Sequence, residues 1–99
     1  MAEKPVGQIE RIIAAEYPSL LWHHCPDSRG CHGRPGLPDF IVVGPGGIIC
    51  REGKPPREHP RGGQVEWLYG LEAVGVSCRV WTPDDVASGL VRAELEALL

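Results

Sequence analysis

The sequence predicts an α/β fold, a mixed β-sheet flanked by helices in the order α-β-β-β-α-β-α. Three observations carry that expectation. Apolar residues recur at helical spacing near both ends, β-branched runs cut by Gly/Pro turns fill the middle, and a helix, a strand and a capped helix close the chain. A length of 99 residues suits one domain, spanning residues 1–99.

Val6, Ile9, Ile12 and Ile13 fall on one helical face, and Tyr17-Pro18 ends that helix. Leu20 to His24 is a short apolar run, read as the first strand. Cys25 to Pro38 is a loop, dense in glycine and proline at its end. Phe40 to Val43 is a second strand, Gly44 to Gly47 a turn, and Ile48 to Glu52 a third strand. Lys54 to Gly63 is a Pro/Arg/Gly loop. A second helix runs from Gln64 to Val74, with Trp67, Leu68 and Leu71 on one face and Gly75 as its stop. Ser77 to Trp81 alternates as a fourth strand. Thr82 is then an N-cap, Pro83 the first helical residue, and Asp84 and Asp85 the acidic first turn of one last helix. Val86, Leu90, Val91, Leu95 and Leu98 form its apolar stripe.

No stretch approaches the ~20 apolar residues of a membrane span, and no apolar N-terminal segment suggests export. The expectation is a cytoplasmic protein with no membrane partner. Its four cysteines, Cys25, Cys31, Cys50 and Cys78, are then expected as free thiols. Cys50 and Cys78 sit in strand-like runs, where cysteine acts as a small hydrophobe.

A net charge of −3 argues by itself against nucleic acid as a partner, but the charge is unevenly placed. Trp22 to Arg61 carries +2, from Arg29, Arg34, Arg51, Lys54, Arg57 and Arg61 against Asp27, Asp39, Glu52 and Glu58, and it holds all four histidines. The segments before and after it carry −1 and −4.

That basic window surrounds an odd hairpin. A turn centred between Pro45 and Gly46 sets Asp39 opposite Glu52, with Cβ atoms roughly 4.5–5.5 Å apart. Proline is unusual in so short a turn, and a slip of one residue would send the two acids to opposite faces. Opposed like charges are destabilising unless a cation lies between them or one carboxyl keeps its proton. Lys54, two residues beyond Glu52, projects on the same face. Two acids and an ammonium suit a hard divalent cation and the chemistry of a metal-activated water. The same residues also suit a plainer reading, with Asp39 capping the turn after Pro38 and Glu52 and Lys54 as strand-end surface groups. Gln64 is polar on an apolar helix face; it either reaches solvent from the first turn or points at the hairpin mouth.

These segments, in this order, resemble the PD-(D/E)xK nuclease superfamily, and more narrowly its VRR-NUC (virus-type replication-repair nuclease) domains. The likeness covers nearly the whole chain. It runs through "DSRGCHGRPGLPDFIVVGPGG", "EGK", "GGQVEWLYGLEAVGV" and "CRVWTPDD". The resemblance implies a restriction-endonuclease-like αβββαβ(α) core. It implies Asp39 and Glu52 as carboxylate ligands of Mg²⁺ or Mn²⁺, the Gly53 backbone carbonyl as a further ligand, Lys54 as the catalytic lysine and Gln64 as a helper near the metal or the attacking water. An acid of the first helix, Glu10 or Glu3, would join the metal site. Glycine at 53 departs from the family's more usual apolar residue. Arg29, Arg34, Arg57 and Arg61 would contact the DNA backbone, and Arg51 would face the DNA or the sheet edge. Stand-alone members of this size resemble phage nucleases of branched DNA, Holliday junctions included. Symmetric cutting then implies a homodimer.

Two rival expectations stand beside this one. "HHCPDSRGCH" offers Cys25, Cys31 and one or two of His23, His24 and His32 to a zinc ion, although its Cys spacing is longer than usual. Alternatively the chain is an idle relative of the nuclease fold that only binds DNA.

Overall fold

The computed structural model describes residues 5–24, 32–54, 59–60 and 62–99. It shows the expected α/β architecture, a four-stranded mixed sheet flanked by helices. Helix α1 (Pro5–Glu16) leads into β1 (Leu21–His24), β2 (Phe40–Gly44) and β3 (Gly47–Gly53). Helix α2 (Gly63–Ala73), β4 (Ser77–Trp81), α3 (Pro83–Ala87) and α4 (Leu90–Glu96) follow. The strands lie in chain order, β1-β2-β3-β4. The first two pairings are antiparallel and β3–β4 is parallel, so α2 is the crossover that a parallel pair requires.

Period-two patterning gives the sheet two unlike faces. On one, Phe40, Val42, Ile49 and Trp81 meet Ile9, Ile12 and Ile13 of α1 and Val91, Leu95 and Leu98 at the C-terminus. Burying each such side chain contributes about 1.5–3 kcal/mol, and this cluster is the core. The helix pair that covers it is also tied at its ends. Arg92 makes two hydrogen bonds of 2.8 Å to the Glu16 carboxylate, and the buried Tyr17 hydroxyl donates to the Arg92 carbonyl oxygen at 3.3 Å. The opposite face is covered more sparingly. α2 packs mainly on β4 and has no fully buried residue, despite its predicted apolar face.

The hairpin turn is shorter than its four-residue expectation. Gly44 pairs directly with Gly47, which leaves only Pro45 and Gly46 between the strands. Proline bars the positive φ that favoured two-residue turns need at its position. Gly47 takes the mismatch instead, at φ 136°.

The last helix differs from the sequence reading. Its start is as expected: Thr82 Oγ1 accepts from the Asp85 N–H at 3.3 Å, and the Thr82 N–H donates to Asp85 Oδ2 at 2.8 Å. The helix then stops at Ser88–Gly89, because Gly89 sits in the left-handed region at φ 88°. Two short helices result, and Leu90, placed on the apolar stripe by periodicity, is instead 43% exposed.

Arg51 also departs from expectation. It faces neither DNA nor the sheet edge but is 2% exposed on the core side. Its Nε donates to Glu94 Oε1 at 2.9 Å, its other nitrogens bond the Cys50 and Ser77 carbonyls and Ser77 Oγ, and it lies 5.6 Å from the Trp81 ring centroid. Glu94 Oε1 also accepts from Trp81 Nε1 at 2.8 Å. Glu94→Ala strands a buried guanidinium and a buried indole N–H, and should cost about 3 kcal/mol. Urea unfolding should show that loss as a lower midpoint with an unchanged slope.

Candidate active site at the hairpin mouth

The register places the acids where the sequence set them. Phe40 pairs with Arg51, so the next pair outward is Asp39 and Glu52. Each carboxylate bonds the backbone of the opposite strand. The Asp39 N–H donates to Glu52 Oε2 at 3.2 Å, and the Gly53 N–H donates to Asp39 Oδ2 at 2.9 Å. Gln64 Nε2 donates to Glu52 Oε1 at 3.0 Å, so Gln64 points at the hairpin mouth rather than away from it.

Two glycines bring Gln64 there. A Cβ on Gly36, at φ +100°, would lie 2.2 Å from the Gly63 carbonyl carbon, and one on Gly63 would lie 2.5 Å from the Pro35 oxygen. The loop before β2 and the start of α2 are therefore in backbone contact, which only glycine permits. Gly53 has a local reason too. A Cβ there would fall 2.7 Å from Val6 Cγ2, so α1 fills the space that a side chain at position 53 would need.

The electrostatics of the pair are unfavourable without a cation. Glu52 is 4% exposed. Burial first, and the Asp39 charge second, raise its pKa from an ordinary 4.5 to about 7, against the pull of Lys54 and the Asp39 N–H. Burial likewise raises Asp39, opposed by the Gly53 N–H bond, His24, its hydrogen bond with Glu52 and Lys54. Lys54 thus acts on both acids, and its own N–H donates to the Trp81 carbonyl at 2.9 Å, which fixes its backbone.

Glu10, one of the two N-terminal acids offered to the metal site, meets His24 instead of closing on the acids, with Oε2 to Nδ1 at 3.2 Å. His24 stacks on Phe40 at 4.7 Å between centroids and lies close enough to influence Asp39. Periodicity gave no sign of this contact; the signal was the pairing of His24 with Phe40, beside Asp39. Arg34 is paired with the Glu66 carboxylate of α2. Glu3, Arg29, Arg57, Arg61, Cys25 and Cys31 lie outside the described residues. Of the histidines offered to zinc, His24 is engaged by Glu10, and His23 and His32 are exposed. Cys50 and Cys78 are free and buried, as expected.

Among the described residues, no three His, Cys, Asp or Glu side chains gather closely enough to hold a metal on their own. Two carboxylates with carbonyl and water oxygens nonetheless fit Mg²⁺ or Mn²⁺, since Mg²⁺ is commonly held by one or two carboxylates and retains several waters. The crowding of two acids, both held above their ordinary pKa, is the charge imbalance that a divalent cation relieves.

The raised Glu52 pKa has a definite sign in stability. The folded state holds the proton more tightly than the unfolded chain, so stability is greatest below the unfolded value of about 4.5 and is lost as pH rises toward about 7. In EDTA, urea unfolding should lose about 3 kcal/mol between about pH 5 and about pH 8. Glu52→Gln should flatten that slope and be the more stable protein at the alkaline end.

Comparisons with protein-family models, with curated proteins and with solved structures find no match to this chain, so the geometry of the hairpin mouth carries the functional reading.

Proposed function

We propose that the chain is a divalent-cation-dependent DNA endonuclease whose active site is the hairpin mouth, of the VRR-NUC type that its sequence resembles. The observation that carries this reading is the pair of opposed, buried carboxylates, each bonded to the other's strand, with Lys54 and Gln64 aimed at them. A structural role does not account for the pair. Two acids that repel across a hairpin weaken the fold at neutral pH, and an apolar pair would not.

Asp39, Glu52 and the Gly53 carbonyl would hold Mg²⁺ or Mn²⁺. When bound, the cation supplies an activated water and neutralises charge on the attacked phosphate. The protein's own groups do the rest. Lys54 brings its ammonium to the side where phosphate charge develops, and Gln64, donating from Nε2 to Glu52 Oε1, holds Glu52 in one rotamer. Sequence-independent contacts from Arg29, Arg57 and Arg61 would make binding fall steeply with salt. Arg34 is taken up by its pair with Glu66 and is not counted among them.

The substrate reading, branched DNA such as a Holliday junction, rests on the family resemblance and on the chain's size. Paired cuts call for two sites and hence a homodimer. One surface favours self-association: Leu21, Val43 and Ile48 form a row across β1, β2 and β3 on the sparsely covered face, with Leu21 73% and Ile48 43% exposed. No helix among the described residues is long and apolar enough to cross a membrane.

The test is cleavage of a labelled four-way junction beside matched linear duplex and single strand, in Mg²⁺, Mn²⁺ or EDTA. Wild type should nick the junction symmetrically in either metal and be silent in EDTA. Lys54→Ala should lower the rate about 10²–10³-fold, and Glu52→Ala should leave no metal-dependent cutting. Cleavage of every substrate alike would keep the nuclease and discard the junction preference. No cleavage in either metal would overturn the reading.

A further inference from the structure

Beside the hairpin mouth, α2 and the loop before β2 enclose a cleft of about 360 Å³ lined by Arg34, Glu66, Trp67, Gly70 and Leu71. Its two walls are tied to each other. Trp67 Nε1 donates to the Arg34 carbonyl at 3.2 Å, which sets the plane of the indole. The loop cannot back away from α2, because Gly36 and Gly63 are in backbone contact. Two of its lining residues, Trp67 and Leu71, share a helix face with Gln64 of the candidate site. Trp67 lies one turn beyond Gln64, about 4.5 Å of rise, and Leu71 lies two turns beyond it, about 10.5 Å.

Gly70 supplies an independent observation. It sits inside α2, where glycine weakens a helix, and a Cβ there would meet nothing within 4 Å. No packing among the described residues requires it. The bare backbone keeps the cleft floor open, which is what close approach by a ligand needs.

The rim chemistry selects the ligand. Arg34 and Glu66 neutralise each other, so the cleft is a poor phosphate site. It offers instead an aromatic face, an aliphatic wall, and one donor and one acceptor at the edge. That combination suits a flat, uncharged group with polar edges. We propose that this cleft takes an unpaired nucleobase of the DNA strand whose phosphate lies at the hairpin mouth, stacked on Trp67 with its edge toward Arg34 and Glu66. The proposal rests on the nuclease reading and deepens it. It makes the enzyme favour substrates with an unstacked nucleotide beside the cut, as at a branch point. Stacking of a base on an aromatic side chain is sequence-tolerant, so the cleft adds affinity with little base preference.

The test measures binding in EDTA, by fluorescence anisotropy, of a labelled single strand, its abasic counterpart and a matched duplex. Wild type, Trp67→Ala, Gly70→Ala and Gly70→Leu are compared. Gly70→Ala is the informative variant because it should raise the melting temperature, as a better helix former, while weakening single-strand binding. Trp67→Ala and Gly70→Leu should weaken single-strand binding about tenfold or more, with duplex binding unchanged and the abasic strand bound equally weakly by all. Single-strand affinity unaltered in folded Gly70→Leu and Trp67→Ala, in a wild type that cuts DNA, would overturn the cleft and leave the nuclease standing. A wild type that neither binds nor cuts any DNA would overturn both.

Discussion

Everything at the candidate site depends on the parity of one hairpin. The side-chain period of a strand is two, so a slip of one residue between β2 and β3 would put Asp39 and Glu52 on opposite faces. The element that prevents the slip is far from the acids. The Gly46 N–H donates to the Leu98 carbonyl at 2.9 Å. A Cβ on Gly44 would lie 2.2 Å from that same oxygen, and one on Gly46 would lie 2.3 Å from the Ala97 oxygen. The residues just after α4 thus clamp the turn in a setting that leaves no room for a side chain at 44 or 46. The C-terminal turn fixes the register at one end of the hairpin, and the register brings the acids together at the other.

Two opposing effects meet at that far end. The cross-strand bonds from the Asp39 and Gly53 N–H groups favour charged carboxylates, as does Lys54, whereas burial of both acids and the Asp39 charge acting on Glu52 disfavour them. The second pair wins, since both acids titrate above their ordinary values. Contrast the other buried ionic group. Arg51 has Glu94, three carbonyl and hydroxyl acceptors and the Trp81 ring, so its charge is satisfied where it lies. One buried cation is complete on its own and holds β3 to β4 and α4. The acid pair, one residue further along β3 and facing the other way, has hydrogen-bond partners but no matching charge inside the sheet, and both its acids are held above their ordinary pKa.

Much of this was legible in the sequence, for identifiable reasons. The element order follows from periodicity and from Gly/Pro punctuation, and the opposition of Asp39 and Glu52 follows from strand parity once the turn is centred. Gln64 was visible as a polar residue on an apolar face, although only the structure shows what it bonds. The misses came from tertiary context. The stripe from Val86 to Leu98 is continuous in a helical projection, and it concealed the break at Gly89, where the glycine itself was the available clue and the structure shows its left-handed φ. Arg51 looked surface-directed because arginine in a strand usually is, and its partner Glu94 lies on a distant helix. Glycine at 53 was an unexplained departure until Val6 proved to occupy the missing side chain's place.

The site is built on supports of unequal firmness, and that bears on how it would work. Asp39, Glu52 and Lys54 stand on central strands beneath the core, which the densest contacts of the fold hold in place. Gln64 and Trp67 stand on α2, which has no fully buried residue. Its ties are mostly polar or backbone contacts, among them the Gly36–Gly63 approach, the Gln64–Glu52 bond, the Trp67–Arg34 bond, and the Glu72 carboxylate accepting from the Cys78 N–H at 2.9 Å. Elements with little buried apolar surface open at lower free energy than the core they rest on. Rigid acids with a more yielding helix above them are what a site needs when its ligand is a polymer that must be admitted sideways. Chemistry demands fixed positions for the charged groups, and entry demands that something near them give way.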